Sequence, residues 1–471
     1  MNMDREQALA MAAACFDDGR FKEAMARRVA YCTESQEPTS STILMSYLVD
    51  EIIPTLEALG FACTIAENPI AGGSPFLIAE RTERDANFTV LSYGHGDVVR
   101  GHANQWREGL EPWKLIVEGD RWYGRGTADN KGQHTINLEA LAQVLAAREG
   151  RLGYNLKLLF EMGEEAGSPG LREICELHGG ALNADLFLAS DGPRVAVERP
   201  TLFLGSRGGF SFDLRITLRP AGHHSGNWGG LLRNPGIRLA NAIASMVDEK
   251  GRIRVRALLP ETLPQNVRDA LASVQVGGGE HDPEIDESWG EPGLSPAERV
   301  FGWNTLEVLA FKTGNPDAPV NAIPGRAHAH CQIRYVVGTD SGRFLQHLRA
   351  HLDAHGYDDV EVLQGGPLME ATRLDPDDPW VQWALASIER STGKVPALLP
   401  NLGGTLPNDI FANLLGLPTL WVPHSHPSCA QHAPNEHILG SVARESLQLM
   451  AGLFWDLGEK DARAAAAGPR A

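Results

Sequence analysis

The sequence lacks any uninterrupted apolar run close to the roughly 18 residues that a membrane span needs. Its first residues carry acidic side chains and no apolar signal core. We therefore expect a soluble, cytoplasmic protein without a membrane partner. The sequence also lacks closely spaced cysteines, because its six cysteines are scattered and form no C-x-x-C pair. A disulfide framework is not expected, and any metal must be held mainly by histidines and carboxylates.

Positive charge is scarce, with 42 Lys and Arg residues against 60 Asp and Glu residues and a formal net charge of -18. A surface this acidic repels phosphate backbones and argues against nucleic acid as a partner. Hydrophobic residues make up 43% of the chain and charged residues 22%, which is the balance of a globular protein. A length of 471 residues suits two domains better than one core.

Apolar strand-like runs alternate with helical stretches in the first part of the chain. Strands are predicted over 88–93, 155–160 and 185–189, and a helix over 135–148 lies between the first two. The opening segment over 6–27 is predicted to be helical. The alternation predicts an α/β fold with a mixed, mainly parallel sheet and helices on both faces.

The pattern changes near residue 207. Strict apolar–polar alternation over 210–218 predicts a half-exposed strand, and a similar strand is predicted over 327–336. The α/β pattern then returns, with a strand over 417–422. A smaller α+β domain is therefore inserted into the larger one. The predicted boundaries are 1–206 and 371–471 for the two parts of the larger domain, and 207–370 for the inserted domain.

Each predicted strand of the larger domain is followed by side chains that can bind a metal. They are His95 and Asp97 after the first strand, Glu164 and Glu165 after the second, Asp191 after the third and His432 after the fourth, with Asp129 at the entry to the helix. Ligands of parallel α/β sheets bind at the carboxyl ends of the strands, so we expect these side chains to meet in one crevice.

This set of imidazole and carboxylate groups, without thiolates, suits Zn²⁺ and also Mn²⁺ or Co²⁺. Several carboxylates in one cleft repel one another unless cations lie between them, and a two-metal site relieves that repulsion. Taken singly, each residue has an ordinary alternative. Glu164 and Glu165 could be a solvated acidic pair, Asp191 a turn residue and Asp129 a helix N-cap. Their recurrence at successive strand ends favours a metal centre.

Seven segments of the chain carry a resemblance to a known family. They are GHGDVV, GRGTADNKG, EMGEEAGS, SDGP, HHSGNWGG, NAIPGR and QHAPNE, and they span nearly the whole sequence. With these segments in family order, the chain resembles the aminoacylase/carnosinase-type zinc peptidases. That group includes acetylornithine deacetylase, succinyl-diaminopimelate desuccinylase, glutamate carboxypeptidase and cytosolic dipeptidases. The resemblance implies a zinc-exopeptidase-like catalytic domain with an inserted lid and dimerisation domain.

The resemblance also implies two bound Zn²⁺ ions, with Mn²⁺ or Co²⁺ as alternatives. Asp129 would bridge the two metals. His95 and Asp191 would complete one site, and Glu165 and His432 would complete the other. Asn130 stands where many relatives have a second acid, which is expected to alter the fine geometry without loss of metal.

The remaining catalytic roles follow from the same resemblance. Glu164 would be the general base towards metal-activated water, and Asp97 would hold the ring of His95. His224 matches a histidine that donates to the oxyanion and that comes from the neighbouring subunit in dimeric relatives, so a homodimer is implied. The adjacent His223 leaves open which of the two histidines reaches the site. The residues that match a site for the substrate carboxylate are Asn321, Arg334, Gly404 and Thr405.

The resulting hypothesis is a hydrolase that cleaves an amide bond next to a free carboxylate in a dipeptide or small peptide. An N-acyl amino acid deacylase resembling acetylornithine deacetylase is the alternative within the class. A non-catalytic binding protein on the same fold is the alternative outside it, and loss of the base or of a metal ligand would mark it.

Overall fold

The computed structural model describes residues 3–37, 41–86, 88–277, 283–460, 462 and 465, and the chain divides into two compact units. The first unit comprises Met1–Leu204, Leu374–Leu399 and Ile410–Ala471, and the second comprises Gly205–Arg373 and Pro400–Asp409. The second unit is therefore inserted into the first. It also takes in residues 400–409, outside the predicted 207–370, because Leu402 exchanges backbone hydrogen bonds with Gly205 and Arg207.

The elements are numbered in chain order. The helices are α1 (Arg5–Asp17), α2 (Arg20–Val29), α3 (Ser41–Ser46), α4 (Ile53–Ala58), α5 (Lys131–Ala147), α6 (Leu171–Leu177), α7 (Gly179–Leu182), α8 (Ser225–Trp228), α9 (Pro235–Met246), α10 (Gln265–Leu271), α11 (Pro296–Phe301), α12 (Phe344–Ala354), α13 (Pro379–Thr392) and α14 (Gly440–Leu457). The strands are β1 (Ala62–Ala66), β2 (Phe76–Arg81), β3 (Thr89–His95), β4 (Ile116–Glu118), β5 (Arg121–Tyr123), β6 (Asn155–Glu161), β7 (Leu186–Ala189), β8 (Thr201–Phe203), β9 (Gly208–Thr217), β10 (His223–His224), β11 (Thr305–Thr313), β12 (Ala322–Ile323), β13 (Arg326–Tyr335), β14 (Glu361–Gln364), β15 (Ala397–Leu399), β16 (Thr419–Trp421) and β17 (His437–Leu439). Two π-helical turns cover Tyr47–Ile52 and Ile410–Leu414.

The first unit is built on an eight-stranded sheet with the order β1-β2-β6-β3-β7-β16-β8-β15. Four neighbouring pairs are parallel, namely β6–β3, β3–β7, β7–β16 and β8–β15. The remaining neighbours, at β1–β2, β2–β6 and β16–β8, are antiparallel. The prediction of a mixed, mainly parallel sheet is confirmed. Parallel pairing brings the carboxyl ends of β6, β3, β7 and β16 to one edge of the sheet.

The core of the first unit joins helices that are distant in the chain. Leu141 of α5 and Leu447 of α14 are almost fully buried in one apolar cluster, together with Ala8 of α1. The segment 6–27, predicted to be helical, forms two helices, because Gly19, with φ of 91°, separates α1 from α2. Within the described residues, no helix combines the length and apolarity that crossing a membrane requires.

The second unit is built on an antiparallel four-stranded sheet with the order β11-β13-β9-β14. Along β9, Phe210, Phe212 and Leu214 are buried and alternate with half-buried or exposed residues such as Asp213 and Arg215. The alternation predicted for this strand is therefore present. The buried face packs in one apolar cluster with residues of α9 and α12. A separate two-stranded ladder pairs β10 with β12.

We predict that shortening a side chain at the centre of the large sheet destabilises the protein strongly. Leu188 lies on β7 with only 1% of its surface exposed. Leu188→Ala should lower the free energy of unfolding by about 2–5 kcal/mol, because it leaves a cavity between close-packed neighbours. Urea denaturation measures this. Leu177→Ala is the matched control, since Leu177 is 69% exposed on α6, and it should change stability by no more than about 0.5 kcal/mol. Equal effects of both substitutions would contradict the assigned core.

Candidate metal centre

The strand ends of the first unit bring the predicted side chains to one edge of the sheet. His95 is the last residue of β3, and Asp191 follows the end of β7 by two residues. Glu164 and Glu165 lie in a short 3₁₀ turn after β6. Asp129 precedes α5, which begins at residue 131, four residues earlier than predicted. The N-cap of α5 is the residue after Asp129, so Asp129 is not the cap.

The first group of donors is formed by His95, Asp129 and Asp191. The Nε2 atom of His95 lies 3.0 Å from Oδ1 of Asp129 and 3.6 Å from Oδ2 of Asp191. All three residues are buried, and His95 has no exposed surface. One donor atom from each residue lies within 4.8 Å of the other two, which is a spacing that a single cation can bridge.

The second group of donors is formed by Asp129, Glu165 and His432. The Nε2 atom of His432 lies 3.0 Å from Oδ2 of Asp129 and 3.1 Å from Oε2 of Glu165. These donor atoms also lie within 4.8 Å of one another. Asp129 therefore belongs to both groups and presents a different oxygen to each histidine.

The donor chemistry of both groups fits divalent cations. Each group offers one imidazole nitrogen and carboxylate oxygens, and no thiol takes part, which suits zinc and its neighbours in the transition series. Among the residues that the structure describes, the buried Oε1 atom of Glu165 finds no hydrogen-bond partner, and such an orphaned acceptor is costly unless a cation or donor binds it.

The electrostatics of the cluster also favour cations. Burial raises the pKa of Glu165 to about 7 and the pKa of Glu164 well above its ordinary range. Burial and the nearby Asp129 raise the pKa of Asp191 as well. Hydrogen bonds with Asp129 and Glu165 raise the pKa of His432 to about 11. The pocket thus holds carboxylates that repel one another, and positive charge would relieve this repulsion.

Asp97 connects the two strand ends and has no exposed surface. Its Oδ1 atom lies 3.3 Å from Nδ1 of His95, on the side of the ring opposite Asp129. Its two carboxylate oxygens accept hydrogen bonds from the backbone N–H groups of Glu164 and Glu165, at 3.2 and 3.1 Å. Asp97 therefore fixes the orientation of His95 and the path of the Glu164–Glu165 turn together.

Two residues for which the sequence predicts no role also contact Asp129. Gln431 donates a side-chain hydrogen bond to its Oδ2 atom. Glu436 is completely buried, and its Oε1 atom accepts hydrogen bonds from the backbone N–H groups of Gly126, Ala128 and Asp129 at 2.9–3.1 Å. Both residues lie in the QHAPNE segment, but only the folded loop shows what they bind.

A buried ion pair neutralises Glu436. The Nη1 atom of Arg125 lies 2.7 Å from its Oε2 atom, and both side chains are at most 1% exposed. The loop that presents Asp129 is therefore held by a charged acceptor whose counter-ion is also in the interior.

The substrate-binding residues predicted from the resemblance lie in the second unit. Arg334, on β13, donates a hydrogen bond to Oγ1 of Thr405, and Gly404 is exposed beside it. His224, on β10, lies next to Asn321, whose carbonyl accepts hydrogen bonds from Ser225. The structure thus forms two pairs within this unit, Arg334 with Thr405 and His224 with the Asn321 turn.

The two adjacent histidines of β10 have different surroundings. The Nδ1 atom of His224 accepts a hydrogen bond from the backbone N–H of Gly226 at 3.1 Å. A neutral ring bound in this way carries its proton on Nε2, which can donate to a ligand. The ring of His223 instead packs against Trp228, with ring centres 6.2 Å apart. This geometry favours His224 over His223 as a donor.

Comparison with known proteins establishes the family of the chain. Residues 91–456 match peptidase family M20/M25/M40. The chain belongs to this peptidase family. Together with the two donor groups, this membership makes the protein a metal-dependent peptidase, in agreement with the resemblance noted in the sequence.

Individual relatives of the peptidase cover most of its length. It is 31% identical over 409 residues to the beta-Ala-His dipeptidase of Mus musculus, which covers 82% of this chain and 80% of the relative. It is 27% identical over 367 residues to the cysteinylglycine-S-conjugate dipeptidase of Corynebacterium striatum, covering 75% and 76%. The crystal structure of an M20 family metallo-carboxypeptidase from Sulfolobus solfataricus has the same fold, with a TM-score of 0.77, 24% identity and coverage of 92% and 98%.

We predict that Glu436 controls how firmly the peptidase holds metal. Glu436→Gln leaves Arg125 buried without its counter-ion and should lower stability by about 3–5 kcal/mol. Because the loop carrying Asp129 loses its charged acceptor, metal affinity should fall about 10–100-fold. Competition with a chelator measures the affinity, and urea denaturation measures the stability.

The control for this substitution is a carboxylate of similar chemistry on the surface. Glu118 pairs with Arg107 at 2.6 Å, and both side chains are about half exposed. Glu118→Gln should leave metal affinity unchanged and shift stability by less than about 1 kcal/mol. If Glu436→Gln behaves like this control, Glu436 does not organise the loop.

Proposed function

We propose that the protein is a dinuclear zinc dipeptidase that hydrolyses the peptide bond next to a free carboxylate. The observation that carries the proposal is the position of Asp129, whose two oxygens face two separate groups of donors, each containing one histidine. His95 and Asp191 would hold one zinc ion, and Glu165 and His432 the other. When bound, the two ions would polarise the scissile carbonyl and acidify the attacking water.

Glu164 is suited to act as the general base. Its Oε2 atom lies 3.9 Å from Nε2 of His95, yet it belongs to neither donor group, so its carboxylate stays available to a water molecule. Burial holds the pKa of Glu164 well above its ordinary range, which lets it keep a proton after taking it from water. Glu164 would then pass this proton to the leaving amine. Asp97 keeps the backbone of Glu164 in place throughout.

The second unit supplies the groups that recognise the substrate in this proposal. Arg334 would bind the substrate carboxylate, because a planar guanidinium matches a carboxylate with two parallel hydrogen bonds. Thr405 already orients Arg334 through its hydroxyl group, and Gly404 and Asn321 would complete this end. The Nε2–H group of His224 would stabilise the oxyanion.

A dipeptide is the substrate class that the relatives support best. The Mus musculus relative is named a beta-Ala-His dipeptidase, and the Corynebacterium striatum relative is named a cysteinylglycine-S-conjugate dipeptidase. The deacylase alternative has no such support among these relatives. The non-catalytic alternative is disfavoured because Glu164 and both donor groups are present.

The proposal includes a homodimer located in the cytoplasm. Strand β11 lies at the edge of its sheet, and its Val308, Leu309 and Phe311 side chains are 41%, 57% and 43% exposed. An apolar edge strand of this kind is typical of a surface that a second chain covers. All six cysteines are free, which agrees with a reducing compartment.

Substitution of each glutamate in turn distinguishes the general base, Glu164, from the metal ligand, Glu165. Glu164→Gln should keep two metal ions per chain and lower kcat by about 10²–10⁴-fold, since it removes only proton transfer. Glu165→Gln should lose both activity and bound metal. Elemental analysis of each variant measures the stoichiometry. Normal turnover by Glu164→Gln would show that the assigned base is wrong.

The second prediction concerns the substrate. The zinc-loaded enzyme should hydrolyse dipeptides with a free carboxylate, and a chelator should abolish the activity. Dipeptide amides should react at least about 10-fold more slowly in kcat/KM, because Arg334 has no carboxylate to bind. A panel of dipeptides, their amides and N-acetyl amino acids checks this by chromatography. Preference for N-acetyl amino acids would establish the deacylase alternative instead.

The third prediction tests whether His224 acts on the active site of the neighbouring subunit. Glu164→Gln and His224→Ala should each be inactive alone. Co-expressed with separable tags, they should form a heterodimer in which one site has both residues. Random assembly would then restore about one quarter of wild-type activity. Light scattering that shows a monomer, or a heterodimer without activity, would refute this arrangement.

A further inference from the structure

One buried arginine of the second unit lacks the carboxylate partner that the other buried arginines have. Among the described residues, four arginines are more than nine-tenths buried. Three of them pair with a carboxylate within 4.0 Å, as Arg28 with Glu51, Arg125 with Glu436 and Arg194 with Glu445. The fourth, Arg207, is 8% exposed and forms no such pair. Burying a cation without a counter-ion costs free energy. The burial of Arg207 therefore indicates a ligand that carries a negative charge.

The contacts of Arg207 leave part of its guanidinium free. Its Nε atom donates to the carbonyl of Gly403 at 2.9 Å, but its buried Nη1 atom has no acceptor. Burial and the like charge of Arg334 lower the pKa of Arg207 to about 10, so the group remains cationic near neutrality. Glu307 attracts it but lies too far away to form an ion pair within 4.0 Å.

Arg207 lines a cavity of about 380 Å³ that lies entirely within the second unit. Two other side chains of the same wall carry N–H groups for which the described part of the chain supplies no acceptor, namely Nε1 of Trp303 and Nε of Arg299. These N–H groups and the Nη1 atom of Arg207 are buried, and donors without an acceptor on residues of one cavity wall point to a ligand that supplies an acceptor, such as a carboxylate. The volume is at the small end of the range for ligand pockets.

The other residues that line the cavity are of two kinds, apolar and acidic. Ile253, Val276 and Trp289 form an apolar surface, and half of the Trp289 side chain is exposed. Asp286 and Glu307 add carboxylates in exposed positions. The cavity thus combines donors on buried or half-buried residues, an apolar wall and acids near solvent.

We propose that this cavity binds a free α-amino acid with an apolar side chain. The carboxylate would accept hydrogen bonds from Arg207 and Trp303, the ammonium group would lie near Glu307 or Asp286, and the side chain would pack against Trp289. A zwitterion explains why donors and acids line the same cavity. A simple anion would meet the exposed acids and the net charge of -18, whereas a zwitterion carries no net charge. The site needs neither the metals nor the dipeptidase activity.

Isothermal titration of the full-length enzyme with L-phenylalanine tests the proposal. One molecule should bind per chain, with affinities that differ by less than about 2-fold with and without bound metal, because no metal ligand lines the cavity. Phenethylamine and 3-phenylpropanoate, which lack the carboxylate or the ammonium group, should each bind at least about 10-fold more weakly.

Substitutions assign the binding to this cavity. Trp303→Phe removes one N–H donor and keeps an aromatic side chain, and should weaken binding about 3–10-fold. Arg207→Gln should weaken it at least about 10-fold, with circular dichroism as a check on folding. Arg252→Gln is the matched control, because Arg252 lines the cavity but is already paired with Asp248 at 2.6 Å, and it should bind normally.

Several outcomes would overturn the proposal. One is the absence of binding at millimolar L-phenylalanine. Another is binding that requires metal, since the ligand would then occupy the active site as a product. Unchanged affinity in both Trp303→Phe and Arg207→Gln, or equal affinity for either analogue, would also overturn it. None of these outcomes depends on whether dipeptides are hydrolysed, so this proposal and the proposed function can fail independently.

Discussion

The candidate metal centre of the first unit depends on the carboxylate of Asp129, which lies between two histidines. Its Oδ1 and Oδ2 atoms lie 3.0 Å from Nε2 of His95 and of His432, respectively. Around it the fold buries further carboxylates that are stable as anions only next to positive charge. Divalent cations would neutralise these groups together, and this accounts for an acidic cluster at the edge of a parallel sheet.

Two buried carboxylates, those of Asp97 and Glu436, hold the loops of the site through their backbones. Asp97 holds the N–H groups of the Glu164–Glu165 turn, and Glu436 holds those of the loop that ends in Asp129. Both acceptors are completely buried, so water does not compete for these hydrogen bonds. The site is therefore rigid because charged acceptors inside the protein fix the main chain of its loops, and not only because strands carry its ligands.

The sequence alone predicts the strands and the residues at their ends, because apolar runs and the side chains after them are local signals. His95 and Asp191 were found in this way. The role of Glu436 could not be predicted, since its partners lie about 310 residues away in the chain. The left-handed backbone of His432, with φ of 60°, has no sequence signal either, because glycine usually marks such positions. Long-range contacts and unusual backbone angles were the parts that only the folded chain revealed.

In both units a buried charge needs a charge of opposite sign close to it, but the buried charge is negative in the first unit and positive in the second. In the first unit a surplus of buried carboxylates requires cations, and in the second unit Arg207 is a buried cation that pairs with no carboxylate among the described residues. Arg28, Arg125 and Arg194 show that this chain normally pairs its buried arginines internally, so structural charges are neutralised by the protein itself. A buried charge that the fold leaves unpaired is therefore better explained by a ligand than by stability. On that basis Arg207 indicates an anionic group for the same reason that Asp129 and its neighbours indicate metal ions.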